Sequence, residues 1–178
     1  WQLAGQPTGL PTSANIRQIT SDGTTLYYGE GTQLYTSTDA IHWTSQSVPH
    51  TIYTMLLYWN KTIWALVEND GYELATYDGT MHLTGLRPNN QFPISDFAAV
   101  CFHSASQRER AMIIGGFAQN GEALNTRWNL EYTPYTSLTN GYRMEEFSID
   151  RPRFTSLTGI SVIWYNNQLM MFGGVDAN

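Results

Sequence analysis

The sequence predicts an all-β fold built from repeated units of short antiparallel strands. Its apolar segments are short, rich in β-branched and aromatic residues, and separated by turn pairs such as Asp22-Gly23 and Asn166-Asn167. No segment shows a convincing helical period of apolar residues. Similar segments also recur along the chain, so the predicted strands group into units.

Two kinds of segment repeat, at spacings of roughly 40 to 60 residues. One kind is an apolar run that ends in a glycine pair, at 112–116 and again at 170–174. The other is a turn that leads into a strand, at 37–43 and again at 76–83. Repetition at this period, with four short strands per unit, is typical of a β-propeller. The predicted fold class is therefore a β-propeller, or a part of one made of four-stranded antiparallel blades.

The predicted units divide a single domain into about three full blades and part of a fourth. Such a set does not complete a conventional closed ring, so we expect the chain to belong to a larger propeller; a small four-bladed ring is the alternative. Because Trp1 aligns with Trp43, the first ten residues should pair with strands outside the three complete blades. Within 1–178, the predicted divisions are 1–10 for this outer strand, 11–49, 50–93 and 94–154 for the blades, and 155–178 for the partial blade.

The predicted strands follow the apolar segments between turn residues. They are Ile16–Ser21, Thr25–Gly29, Gln33–Thr36 and Trp43–Val48 in the first blade, Tyr53–Trp59, Thr62–Glu68, Tyr72–Thr76 and His82–Leu86 in the second, Phe97–His103, Ala111–Phe117, Arg127–Tyr132 and Glu145–Ile149 in the third, and Gly159–Tyr165 and Gln168–Phe172 in the partial blade.

Composition and charge exclude several classes of function. The net charge is −6 at pH 7 and Lys61 is the one lysine, so the chain lacks the basic surface that nucleic-acid binding requires. Its apolar runs are far shorter than a membrane span. Cys101 lies in an apolar strand and is expected to be a small buried residue. The 4 histidines lack the spacing of metal ligands, so we expect neither a metal nor a cofactor.

Both repeats resemble known propeller motifs. The run into Gly115-Gly116, followed by Trp128, resembles a kelch blade, and Gly173-Gly174 repeats its first half. The glycine pair is expected to end an inner strand at a sharp bend where a Cβ atom would clash.

The second repeat resembles the Asp-box (BNR) hairpin of sialidases and other propellers. Alanine replaces the usual glycine in its first copy, and leucine replaces the aromatic in its second. Its residues are Ser37, Asp39, Ala40 and Trp43, then Asp78 and Leu83. Together the motifs resemble an uncharacterised family of bacterial cell-envelope propeller domains.

Candidate binding residues lie on the predicted rim, where loops between and within blades meet. Three arginines there, Arg87, Arg151 and Arg153, could clamp a carboxylate as in a sialidase-like enzyme. The alternative is that these arginines bond backbone carbonyls and caps between blades. The acidic and amide candidates on the same rim are Glu30, Asp70, Glu122, Gln119 and Asn120.

No catalytic constellation is assembled by a motif, so the leading hypothesis is a non-catalytic binding or scaffold module of an extracytoplasmic protein. Its ligand would be a glycan or a protein. The alternatives are a sialidase-like glycan hydrolase and a purely architectural domain. Adjacent aromatics on one strand point to opposite faces, so one residue of Tyr58/Trp59 and one of Trp164/Tyr165 could reach a blade surface.

Overall fold

The computed structural model describes residues 7–11, 18–103, 109–133, 141–148 and 158–175. These residues contain no α-helix. Their strands are β1 Thr20–Ser21, β2 Leu26–Ser37, β3 Thr44–Trp59, β4 Thr62–Glu68, β5 Tyr72–Tyr77, β6 Met81–Leu83, β7 Ala98–His103, β8 Glu109–Ile114, β9 Thr126–Tyr132, β10 Tyr142–Ser148, β11 Thr158–Tyr165 and β12 Gln168–Val175.

The strands form three antiparallel sheets. The first sheet has six strands in the order β1 to β6, the second has four in the order β10-β9-β8-β7, and β11 and β12 form a terminal hairpin. Neighbours along the chain are neighbours in each sheet, which is the meander expected of propeller blades. The prediction of an all-β fold is confirmed.

The predicted turns adopt the backbone that tight hairpins need. Asn60 and Lys61 between β3 and β4, and Asn166 and Asn167 between β11 and β12, all have positive φ. Two such residues match the type I′ turn, whose twist suits paired strands. The hairpins predicted at these positions are confirmed.

The first sheet differs from the predicted blade at 11–49. The expected turn at 30–32 is absent, and β2 runs straight through it; β3 likewise runs through Pro49. Gly31 pairs with Ile52 while Gln33 pairs with Ser47, so one residue of β2 faces four residues of β3, 48–51, between these two pairs. A bulge absorbs residues that cannot join the ladder, and proline is tolerated there. The first sheet is therefore continuous across the predicted boundary between the blades at 11–49 and 50–93. The predicted blade boundaries stay predictions.

Three apolar layers form the core, one within the first sheet and two between sheets, because alternate residues of each central strand point to opposite faces. The first layer joins the two halves of the curled first sheet, the second joins the first and second sheets, and the third joins the second sheet to the terminal hairpin. Their members include Leu34, Val48, Ile63, Ala65 and Val67 in the first layer, Trp64, Leu66, Phe92, Ile113 and Trp128 in the second, and Ala98, Met112, Ile114 and Ile160 in the third.

The two glycine pairs lie where neighbouring backbone or side chains leave no room. β8 ends just before Gly115, and a Cβ atom on Gly116 would lie 2.5 Å from the Ser95 carbonyl oxygen. The predicted clash is confirmed at this pair. At the second pair, a Cβ atom on Gly174 would lie 2.7 Å from Ile160 Cγ2. There the strand continues to Val175, so the prediction that the pair ends its strand is wrong for β12.

The described residues near the N-terminus pair with the segment between β2 and β3 of the first sheet. Thr8 N–H donates to the Ile41 carbonyl at 2.7 Å, and Trp43 N–H donates to the Thr8 carbonyl at 2.9 Å. Gly9 permits this approach, since a Cβ atom there would overlap the Trp43 carbonyl oxygen. The prediction that residues 1–10 pair outside the complete blades is therefore wrong at Thr8; residues 1–6 lie outside the described ranges.

Candidate functional site

A cavity of about 180 Å³ lies where the ladder is irregular on both sides of β3. The register shifts between Gly31 and Gln33 on β2, and again between Ile52 and Thr54 on β3. Bulges of this kind are frequent beside functional sites because they redirect side chains. The described lining residues are Gln18, Tyr28, Gly29, Glu30, Ile52, Tyr53 and Thr54.

Glu30 is the charged residue among the described residues of this lining. The buried Tyr28 donates its hydroxyl to Glu30 Oε2 at 2.9 Å. Both side chains point to one face because they are two residues apart on a strand. The bulge then keeps Tyr35 on that same face, where its ring stacks on Tyr28 at 5.6 Å. Sequence analysis placed Glu30 on the rim; the structure places it at this cavity, held by a tyrosine that sequence analysis did not connect to it.

Gly29 lines the cavity and lies against the Ile52 side chain. A Cβ atom at this position would lie 2.6 Å from Ile52 Cγ2 and 2.8 Å from Ile52 Cδ1. Glycine therefore allows β2 and the Ile52 side chain to approach closely. Any larger residue would push Ile52 toward the cavity or separate the strands.

Arg87 is held by a buried carboxylate on the rim of the first sheet. Its Nη2 lies 3.0 Å from Glu73 Oε2, and its Nη1 donates to the Asp70 carbonyl at 3.5 Å. Glu73 also accepts from Asn69 Nδ2 at 2.8 Å and from the Gly85 N–H at 2.9 Å. Arg87 thus ties the segment after β6 to the turn before β5.

The other rim candidates that the structure describes form hydrogen bonds with different partners. Glu122 is exposed and accepts from Gln91 Nε2 at 3.2 Å. Gln119 accepts from the Tyr72 hydroxyl at 3.0 Å, which connects the first sheet to the loop after β8. The described contacts therefore join Arg87 to Asp70 and place Glu30 and Glu122 elsewhere. Arg151 and Arg153 lie outside the described residues.

Sequence analysis missed Glu73, although a signal was present. The glutamate follows Tyr72 and precedes the apolar pair Leu74 and Ala75 in β5, a strand that packs on both faces. A carboxylate at such a position needs an ionic partner or several hydrogen-bond donors. Arg87, in the segment that returns along the same sheet, was the available cation.

Asp39 organises the turn on which the Asp-box resemblance rests. Its Oδ1 accepts from the backbone N–H groups of Ile41 and His42, both at 2.8 Å, and its Oδ2 lies 2.7 Å from His42 Nδ1. The contact with the His42 side chain, followed by the two backbone donors, holds the pKa of Asp39 well below its usual range. Ser37 donates to the same carboxylate, and the buried Trp43 anchors the next strand. These contacts make the turn a structural element rather than a reactive site.

The second copy of this turn is looser. Asp78 Oδ1 accepts from the Thr80 N–H at 3.4 Å and lies 3.3 Å from His82 Nε2. Gly79 has a φ of +112°, whereas Ala40 holds the corresponding position of the first turn at +63°. A residue with a Cβ atom is strained in this left-handed region.

Replacing Ala40 with glycine is expected to stabilise the domain by up to about 1 kcal/mol, because it relieves this strain. Urea denaturation would measure the change. The matched control is Gly79→Ala, which has free space for a Cβ atom but the same unfavourable φ, and should destabilise the domain. Destabilisation by Ala40→Gly would show that the positive φ at Ala40 carries no strain.

Cys101 is not the buried residue that its strand predicts. It is exposed by its overall accessible area, although its Sγ lies 3.2 Å from the Tyr58 carbonyl oxygen. Burial of the thiol, followed by the charge of Glu109, raises the pKa of Cys101 to about 11. The thiol is therefore protonated at neutral pH and is a poor nucleophile.

The described residues contain no group of three or more potential metal ligands. They also contain no helix long and apolar enough to cross a membrane.

Comparison with known families assigns the fold. Residues 1–178 match the family described as the DUF6242 beta propeller domain. No curated protein matches the chain. The match spans the whole chain and agrees with the successive antiparallel meanders seen in the structure. The chain therefore belongs to the DUF6242 beta propeller domain family.

Proposed function

We propose that this domain is a non-catalytic binding or scaffold module of an extracytoplasmic protein, and that the cavity beside Glu30 holds part of its ligand. The observation that carries the proposal is the position of this cavity at the paired register breaks of β2 and β3. The extracytoplasmic location is supported by the resemblance to bacterial cell-envelope propellers.

The lining favours an uncharged, hydroxyl-rich ligand such as a glycan. It offers a carboxylate, two phenol rings, a hydroxyl and an amide, and its described residues include no cation. An anionic sugar would require a basic partner in the site. The volume of about 180 Å³ is below the range of roughly 300 to 1,000 Å³ for whole-ligand pockets. We therefore expect the cavity to hold one sugar unit, or one side chain of a protein ligand.

Two alternatives have weaker support. Glycoside hydrolysis by two carboxylates requires both groups to flank the scissile bond. The described contacts place Glu30, Asp70 and Glu122 in three different groups, and Arg87 is engaged by Glu73. A purely architectural role agrees with the Glu73–Arg87 pair but does not account for the cavity beside Glu30.

A glycan array followed by titration would test the proposal. The wild-type domain should bind a neutral glycan, and Glu30→Gln and Tyr28→Phe should each weaken that binding by about tenfold, the cost of a hydrogen bond to a charged group. Glu122→Gln is the matched control, since it alters an exposed rim carboxylate outside the cavity, and should leave binding unchanged.

The same sample should not turn over aryl glycosides. Turnover that Arg87→Ala or Arg151→Ala abolishes would favour the hydrolase instead. If neither Glu30→Gln nor Tyr28→Phe weakened glycan binding, the cavity would not be the binding site.

A further inference from the structure

A second cavity, of about 250 Å³, lies where the end of β3 meets the second sheet. Its described lining residues are Tyr58, Trp59, Asn60 and Lys61 from β3 and the turn after it, and Cys101, Phe102, Glu109 and Arg110 from β7 and β8. The two sheets touch here, since Cys101 Sγ donates to the Tyr58 carbonyl oxygen at 3.2 Å. The described linings of this cavity and of the cavity beside Glu30 have no residue in common, so the two cavities are separate.

Lys61 is a fixed cation of this lining that forms no ion pair within the described part of the chain. Its φ is +64°, in the left-handed region that glycine and asparagine adopt more readily. The turn is tied to the second sheet, because Asn60 Nδ2 donates to the Tyr142 hydroxyl at 3.0 Å. An unpaired ammonium beside a cavity favours an anionic ligand.

The same lining residues carry buried N–H donors without acceptors. Arg110 donates from Nη2 to Glu131 Oε2 at 2.9 Å, but its Nε is buried and has no hydrogen-bond partner in the described ranges. The same holds for the indole Nε1 of Trp59. Buried donors are normally paired, and an unpaired one is unfavourable. Two such donors on the side chains around one cavity favour a ligand that supplies acceptor oxygens.

The charges around the cavity favour a ligand with one negative charge. Arg110 is already paired with Glu131, so Lys61 supplies the positive charge that the described ion pairs leave over. A carboxylate brings one negative charge and two acceptor oxygens. A phosphate dianion would bring a second negative charge close to Glu109, which lines the same cavity.

A neighbouring groove shows on which side of Lys61 the acid binds. Tyr58 and Lys61 also line an open groove of about 460 Å³, together with Asp22 and Asp78. These two aspartates would repel a carboxylate, so the acid binds on the side of Arg110. Tyr58 is 39% exposed, and its ring can pack against the apolar face of a sugar ring next to the acid.

We propose that the cavity beside Lys61 is a second binding site, which takes the carboxylate of an acidic sugar unit such as a uronic acid. Lys61 pairs with the carboxylate, and the exposed ring of Tyr58 packs against the sugar ring. The volume of about 250 Å³ is below the range of roughly 300 to 1,000 Å³ for whole ligands, so the cavity suits one sugar unit. This inference goes beyond the proposed function, because the cavity beside Glu30 has no cation among its described lining residues.

Nuclear magnetic resonance titration of the isotope-labelled domain with glucuronate would test the proposal. Glucuronate should shift the backbone amide signals of Asn60, Lys61 and Phe102. Glucose lacks the carboxylate and should bind at least about tenfold more weakly, the cost of a hydrogen bond to a charged group. Equal binding of the two sugars, or no shift with glucuronate, would overturn the proposal.

Two further probes test the kind of anion. Acetate carries the carboxylate without the ring, and inorganic phosphate carries a different anion. Both should bind more weakly than glucuronate. Acetate that binds as tightly would overturn the assignment to a sugar, and phosphate that binds as tightly would overturn the assignment to a carboxylate.

Lys61→Gly separates binding from folding. The substitution removes the ammonium and relieves the left-handed strain, so glucuronate should bind at least about tenfold more weakly while the melting temperature stays the same or rises. The matched control is Arg143→Gln, which removes an exposed cation of β10 outside the described lining and should leave binding unchanged. Unchanged binding in Lys61→Gly, or equal losses in the two variants, would overturn the proposal.

Glu30→Gln distinguishes this site from the one under the proposed function. Glucuronate should bind this variant as it binds the wild-type domain. Loss of glucuronate binding in Glu30→Gln would place the acid in the other cavity and would overturn this inference alone. Failure of the domain to bind neutral glycans would instead count against the proposed function and leave the glucuronate result standing.

Discussion

Replacing Trp64 with alanine is expected to lower the free energy of unfolding by about 3 to 5 kcal/mol, the range for buried tryptophan. Trp64 has no exposed surface and donates its indole N–H to the Trp59 carbonyl at 3.1 Å. Its ring packs against Trp59 at 5.2 Å and meets the Tyr142 ring edge-on at 4.8 Å. The substitution therefore opens a cavity between the first and second sheets and removes contacts that hold them together.

Urea denaturation followed by tryptophan fluorescence and by circular dichroism would measure this loss. The matched control is Tyr165→Ala, which removes an exposed aromatic of the terminal hairpin and should change stability by less than about 0.5 kcal/mol. Similar losses in the two variants would contradict the assignment of Trp64 to the layer between the sheets.

Replacing Arg87 with alanine is expected to cost about 2 to 3 kcal/mol, somewhat less than the range for breaking a fully buried ion pair. The side chain of Glu73 is 4% exposed, so its carboxylate would remain buried without its cation. The Arg87 side chain is 49% exposed, and solvent screening of the guanidinium reduces the loss. The hydrogen bonds from Asn69 and Gly85 to Glu73 would partly compensate.

A double-mutant cycle would separate this structural role from a ligand clamp. Glu73→Leu combined with Arg87→Ala removes both charges, and the pair should be more stable than Arg87→Ala alone. Ligand binding should be unchanged in Arg87→Ala once its lower stability is taken into account. Loss of binding without loss of stability would instead make Arg87 a ligand residue.

The sequence predicted those parts of the fold that depend on local chemistry. The hairpins at Asn60-Lys61 and Asn166-Asn167 were predictable because asparagine between two apolar segments favours the positive φ of a tight turn. Gly116 was predictable for a similar reason, since an apolar run into two glycines marks a close backbone approach.

Features that depend on distant contacts were not predictable. Glu30-Gly31-Thr32 reads as a turn, but the pairing of Gly31 with Ile52 makes it a bulge within β2. The same pairing creates the cavity beside Glu30, so the site could be placed on a rim but not assembled from the sequence. Glu73 was missed because its partner Arg87 is brought close only by the sheet.

The most direct test of the account is hydrogen exchange of the domain with and without the glycan identified on the array. The account predicts that the ligand protects backbone amides in β2 and the middle of β3, around Glu30 and Tyr53, and that Glu30→Gln removes this protection. Protection confined to the segment after β6 that contains Arg87, or turnover of the glycan during the measurement, would contradict a non-catalytic site at the cavity.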